Sequence, residues 1–187
     1  MPDINEIIVK SIGEYLLSEV TDLNEYVDGF PEANQDIDYP SISLIVLSSK
    51  FEKEKNPREI TRGSEVGNEA SIKYQIGQWE IQVQLDLWAS YKAQRSDIGI
   101  KIYEALNKNG EAGNLALQLT DYHNEYANIT FTGMNDQNDE AGSHEKEWRR
   151  RYDIIVDVAE ILEKTEGIMK DLSTQADDIG FNVIVEE

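Results

Sequence analysis

Two histidines, His123 and His144, stand among 37 aspartates and glutamates in a chain of 187 residues that has no cysteine. Without thiols there is no thiolate metal site, no cysteine nucleophile and no disulfide scaffold. His123 lies in DYHNEY with Asp121 and Glu125 beside it, the least that a metal-assisted hydrolase would need. There is no HxxxH and no second histidine at ligand spacing, so a turn histidine is the simpler reading. The segment DQNDEAGSHEKE puts Asp136, Asn138, Glu140 and Glu147 at positions one, three, five and twelve of a calcium loop. Position six is Ala141, where the sharp turn requires glycine, and Gly142 comes one place late. No G-x-S-x-G elbow serves a serine nucleophile, and IGQW and GNLAL lack the spacing of a phosphate loop. Carboxylates this abundant supply endless pairs, and none in particular points to glycoside chemistry. The expectation is a protein that binds and does not catalyse, with no metal and no cofactor.

The charge distribution says what it would bind. A formal net charge of −20 repels nucleic-acid phosphates and anionic lipid heads. Residues 1–40 carry ten acids against Lys10 alone, whereas basic residues gather at Lys50–Arg62 and at Arg149, Arg150 and Arg151. Acidity can serve solubility alone; the sharper reading is an acidic surface that faces DNA without holding it. MPDINEIIVK lacks the layout of a signal peptide, and ISLIVL is far too short to span a bilayer. A soluble protein of the cytoplasm, without a membrane role, is expected. At this length the chain fits one domain, residues 1–187.

These residues need elements to position them. Ile4, Ile7, Ile8, Ile12, Tyr15 and Leu16 recur at helical spacing, predicting a helix from about Asp3 to Glu19. An acidic loop follows, then a buried strand, SISLIVLSS. Residues 51–73 have no sustained period and many charges, which predicts a long mobile arm or loop; a second is expected at about 134–147. YQIGQWEIQVQLDLW alternates apolar Trp79, Ile81, Val83, Leu85 and Leu87 with polar partners until Trp88. This is a half-buried strand, and at ~3.3 Å per residue it reaches roughly 50 Å, long for a small domain. A helix over AQRSDIGIKIYEALNKNG follows, with Gly110 placed to cap it. LALQLTDY and YANITFTG read as shorter strands, and WRRRYDIIVDVAEIL as a second long one, with Arg150 intruding on its apolar face. Arg149 and Arg151 can pair across with Glu80 or Asp86 if the long strands lie antiparallel. GFNVIVEE reads as a last strand. The fold class is α+β, a mainly antiparallel sheet with long strands flanked by two or three helices.

Gln82 and Gln84, on the polar side of the long strand, are expected to lie solvated or against a neighbouring subunit. Trp88, Trp148, Arg149 and Arg151 have the residue types that interfaces favour. With Lys53, Lys55, Arg58 and Arg62 they make up the candidate subunit or partner interface.

The order of Y-x-I-G-x-W-x-I-x-V-x-L-D-L-W, D-I-G-I-K-I-Y-E-A-L-N, LxLTDYH and RRYDIIVDVAEI resembles the tail-terminator (tail completion) proteins of tailed bacteriophages, from about Tyr39 to Leu162. The resemblance lies in element order and residue texture and involves no catalytic motif. It implies a virion protein at the tail neck, assembled in the host cytoplasm as a ring commonly of six subunits. Such a ring ends tube polymerisation and offers a face to the head. It also implies contacts with the tube protein, a head-completion or connector protein and, in contractile tails, the sheath. DNA would pass through the lumen without specific binding. A head–tail connector is the near alternative; a small metal-assisted hydrolase using His123 and an acidic adaptor that mimics nucleic acid are the remote ones.

Overall fold

The computed structural model describes residues 3–31, 37–62, 69–108, 114–119, 121–122, 125–139 and 147–167, leaving aside the side chains of 61–62, 69–71, 114, 138–139, 147 and 164–167. Helix α1 spans Ile4–Glu19. Its start is set by Asp3, whose carboxylate accepts the Asn5 N–H at 3.1 Å, satisfying one of the orphan donors of the first turn. Ile4, Ile7, Ile8, Ile12 and Leu16 form the buried stripe. Gly13 lets the helix lie directly on a tyrosine: a Cβ there would stand 2.6 Å from the Tyr26 ring.

Tyr26 belongs to β1 (Glu25–Asp28), which runs parallel to β2 (Ser41–Arg62) with Glu25 opposite Ser41 and Asp28 opposite Leu44. Then come β3 (Glu69–Ala89), α2 (Lys92–Leu106), β4 (Asn114–Leu119), β5 (Glu125–Asp139) and β6 (Glu147–Gly167). The six strands form one mostly antiparallel sheet in the order β1-β2-β3-β6-β5-β4, which together with two helices makes the fold α+β. α1 touches both edge strands, β1 and β4. One core joins the α1 stripe to Ile81, Val83, Leu85 and Leu87 of β3 and to Ile98, Ile102 and Leu106 of α2. α2 ends at Asn107, whose N–H bonds to the carbonyls of Tyr103 and Glu104; Gly110 and GFNVIVEE, expected to be a last strand, lie outside the described residues. No helix among the described residues is long and apolar enough to cross a membrane.

Three features depart from the sequence expectations. The acidic loop contains β1, four residues too few to show a period. The charged stretch expected to be irregular is strand: Phe51–Arg62 continue β2, and Glu69–Lys73 open β3. Alternation marks a strand only when one face is buried. From Phe51 to Ile60 every side chain but Glu54 is exposed, so no alternation is there to read. Likewise Met134–Asp139 belong to β5, and Glu147 begins β6; residues 140–146 lie outside the description.

The chain forms two compact units, Met1–Lys53 with Gln78–Ala159, and Glu54–Gly77 with Glu160–Glu187. The length of β3 follows from this division. Its 21 residues serve both units, changing over at Gly77 and Gln78. β2 and β6 are shared in the same way. In the second unit Ile72 of β3 and Ile161 of β6 are buried.

Candidate interface at the arginine end of the sheet

Consecutive strand residues point to opposite faces, so β6 divides Arg149, Arg150 and Arg151 between two ion clusters. Register with β5 places Gln137 opposite Arg149, Asp136 opposite Arg150 and Asn135 opposite Arg151.

On the face away from the helices, Arg149 and Arg151 bracket Asp86 of β3. Their Nε atoms stand 3.7 and 3.6 Å from its Oδ1, ion pairs too long for hydrogen bonds. Asp86 is fully buried, and Gln84 Nε2 donates to its Oδ2 at 2.6 Å. Arg149 also donates to Gln137 Oε1 and lies over two rings, 5.2 Å from Trp88 and 5.6 Å from Phe30. Trp88 Nε1 donates to Ser43 Oγ at 3.0 Å. A carboxylate this deep is tolerated because two guanidiniums and an amide replace its water.

On the helix face Asp136 is the shared acceptor. Arg150 Nε donates to its Oδ1 at 2.5 Å and an Arg150 terminal nitrogen to its Oδ2 at 3.2 Å, while an Arg95 terminal nitrogen stands 3.1 Å from that Oδ2. The hydrogen bond from Arg150, opposed only by desolvation, holds the Asp136 carboxyl below the usual carboxylate range. Arg95, buried on α2, carries its guanidinium 5.1 Å above the Trp148 ring. Tyr152 donates to the Gly99 carbonyl at 2.9 Å, and burial pushes its phenol up to about 12. β5 bends into this cluster through a bulge, where Phe131 and Gly133 face consecutive residues of β6 and Thr132 is extra. Thr132 Oγ1 donates to the Asp153 carbonyl at 2.8 Å.

The structure thus brings Gln84, Trp88, Arg149 and Arg151 together around Asp86, the pairing across strands that their alternation suggested. It corrects the expectation that this side of β3 is open: Gln84, Asp86 and Trp88 are buried under their partners from β2 and β6. Gln82 alone of the two glutamines is exposed. It lines a shallow cleft of about 240 Å³ with Leu47, Thr132, Asp153 and Ile155. Trp148 belongs to the other face. Lys53, Lys55 and Arg58 are exposed along β2, and the Arg62 side chain lies outside the described residues. Sequence reasoning missed Arg95 as a buried cation and Asp136 as its acceptor. The intrusion of Arg150 on an apolar face was the available signal, since such a charge demands a buried partner.

Among the described residues no three His, Cys, Asp or Glu cluster as metal ligands do; His123 and His144 fall outside them. Each ion cluster is paired across neighbouring elements, Asp86 with Arg149 and Arg151, and Asp136 with Arg150 and Arg95. No family model matches the chain, and no curated protein matches it.

Proposed function

We propose that the protein is a tail terminator of a tailed bacteriophage: a virion protein that caps the tail tube as a ring, ends its polymerisation and presents the surface on which the head is joined. The observation that carries this reading is the set of adjacent long strands, β2, β3 and β6, of 22, 21 and 21 residues. They outrun one hydrophobic core and, over Phe51–Ile60 of β2, expose both faces. Strand surface of that kind is what a neighbouring subunit covers. The residue motifs from about Tyr39 to Leu162 that resemble those proteins support the same reading. The negative charge supports a lumen through which DNA slides without adhering. Partners on this reading are further copies of the chain, the tube protein, a connector and, in a contractile tail, the sheath.

The test is deletion of the gene from the phage genome that carries it, with electron microscopy of the lysate. Tubes of uncontrolled length and unjoined heads are expected, with normal tails restored by the purified protein. Tubes of normal length that fail to join heads would replace this reading by a connector. Normal joined tails would end both.

A further inference from the structure

The helix-side end of the β5–β6 ladder carries an apolar patch that its own unit leaves uncovered. Ile100 and Tyr103, three residues apart on α2, are 56% and 44% exposed, and Met134 of β5 is 51% exposed. They are neighbours through the groups beneath them. Tyr103 meets Phe131 edge-on with ring centres 5.4 Å apart. Met134 pairs in register with Tyr152, which reaches the carbonyl of Gly99, next to Ile100. At the rim Arg95 and Arg150 share Asp136, with Lys92 close enough to act on the same carboxylate. Around Asp136 the cations outnumber the acid, and of them Lys92 is exposed to solvent, while Asp97 and Glu104 are the exposed acids of α2. Tyrosine, phenylalanine, methionine and arginine beside Trp148 are the composition of an interface centre.

The complement is on the same chain. The outer side of α1 exposes Asp3, Glu6 and Glu14, and its one base, Lys10, is already paired with Asp121 at 2.7 Å. Leu17, three residues past Glu14 and partly covered, adds apolar surface there. We propose that a second copy of the chain docks the outer face of its α1 on the Ile100–Tyr103–Met134 patch, its carboxylates answering the exposed Lys92. The two surfaces differ, so the contact is head-to-tail, and repetition gives a ring where the rotation closes. This deepens the ring reading above and rests on it for closure alone.

Sedimentation of the full chain tests it. Ile100→Asp with Tyr103→Asp removes the patch, and Glu6→Lys with Glu14→Lys removes the acidic face. All four positions are exposed, so melting temperatures should stay near the parent's. Each double variant should raise the self-association constant for dissociation at least ~10-fold, and parent assembly should weaken as salt is raised. Mixing the two variants leaves one sound contact between unlike subunits, so a 1:1 pair that adds no third subunit is expected. Variants that assemble like the parent, a mixture of monomers only, or a parent monomeric up to its solubility limit would each overturn the inference. A parent that assembles as described and leaves tubes uncapped would support it and defeat the tail-end reading alone.

Discussion

Tyr152 of β6 donates a hydrogen bond to the backbone carbonyl of Gly99 in α2, and Arg150 lies against the same glycine. A Cβ at position 99 would stand 2.9 Å from the Tyr152 hydroxyl and closer still to the Arg150 guanidinium. Gly99→Ala gains about 1 kcal/mol of helix propensity and loses roughly 1–3 kcal/mol to crowding. The net change in denaturant unfolding should therefore be destabilising. A stabilised variant would mean that Arg150 swings aside freely.

Tyr152→Phe should cost roughly 1 kcal/mol near neutral pH, the worth of one buried hydrogen bond. Its larger signature lies in alkali. Burial raises the phenol to about 12, so its contribution is complete below the unfolded value near ~10 and is lost as pH rises through the folded one. The parent should lose roughly 2–3 kcal/mol over that window that the phenylalanine variant does not. Parallel loss in both proteins would place Tyr152 in water.

Asp136 has the opposite sign. Its carboxyl is held low by Arg150, so its contribution is present above the unfolded value near ~4 and is lost as pH falls through the folded one. Acid titration of stability should be steeper for the parent than for Asp136→Asn. Identical slopes would remove Asp136 from the cluster's energetics.

Asp86→Ala leaves Arg149 buried without its carboxylate, and losses of this kind run to roughly 3–5 kcal/mol. Arg151→Met should cost less, because Arg151 retains 29% side-chain exposure and Arg149 still faces Asp86. Thermal melts of both decide the order; equal losses would make Arg151 the main counter-ion.

β3 predicts a graded response along its length. Leu85→Ala should cost roughly 2–5 kcal/mol through the cavity it opens. Gln82→Lys, at an exposed position, should stay within ~0.5 kcal/mol. Gln84→Lys places a third cation beside Asp86 in a buried site, and a loss of roughly 2 kcal/mol or more is expected. Chemical denaturation separates the two glutamines, and equal tolerance would mean that the cluster opens readily.

The sequence by itself determined the elements that have one apolar side. The isoleucine stripe and Asp3 define α1, the alternation from Ile81 to Leu87 defines the core face of β3, and Arg150 among Trp148, Tyr152 and Ile154 marks a charge that must find a partner. It also pointed to Glu80 or Asp86 as the acid facing Arg149 and Arg151, and the structure selects Asp86. Only the tertiary structure decided which polar faces are wet. Gln82, Gln84 and Asp86 read alike in a strand pattern, because alternation records polarity and not what lies above it. Burial of the last two depends on Ser43, Trp88 and the arginines of β6, and Asp86 stands more than sixty residues from those arginines along the chain. The strand over 51–60 was hidden for the converse reason. Exposed on both sides, it is held by ladder hydrogen bonds, which leave no mark on side-chain periodicity.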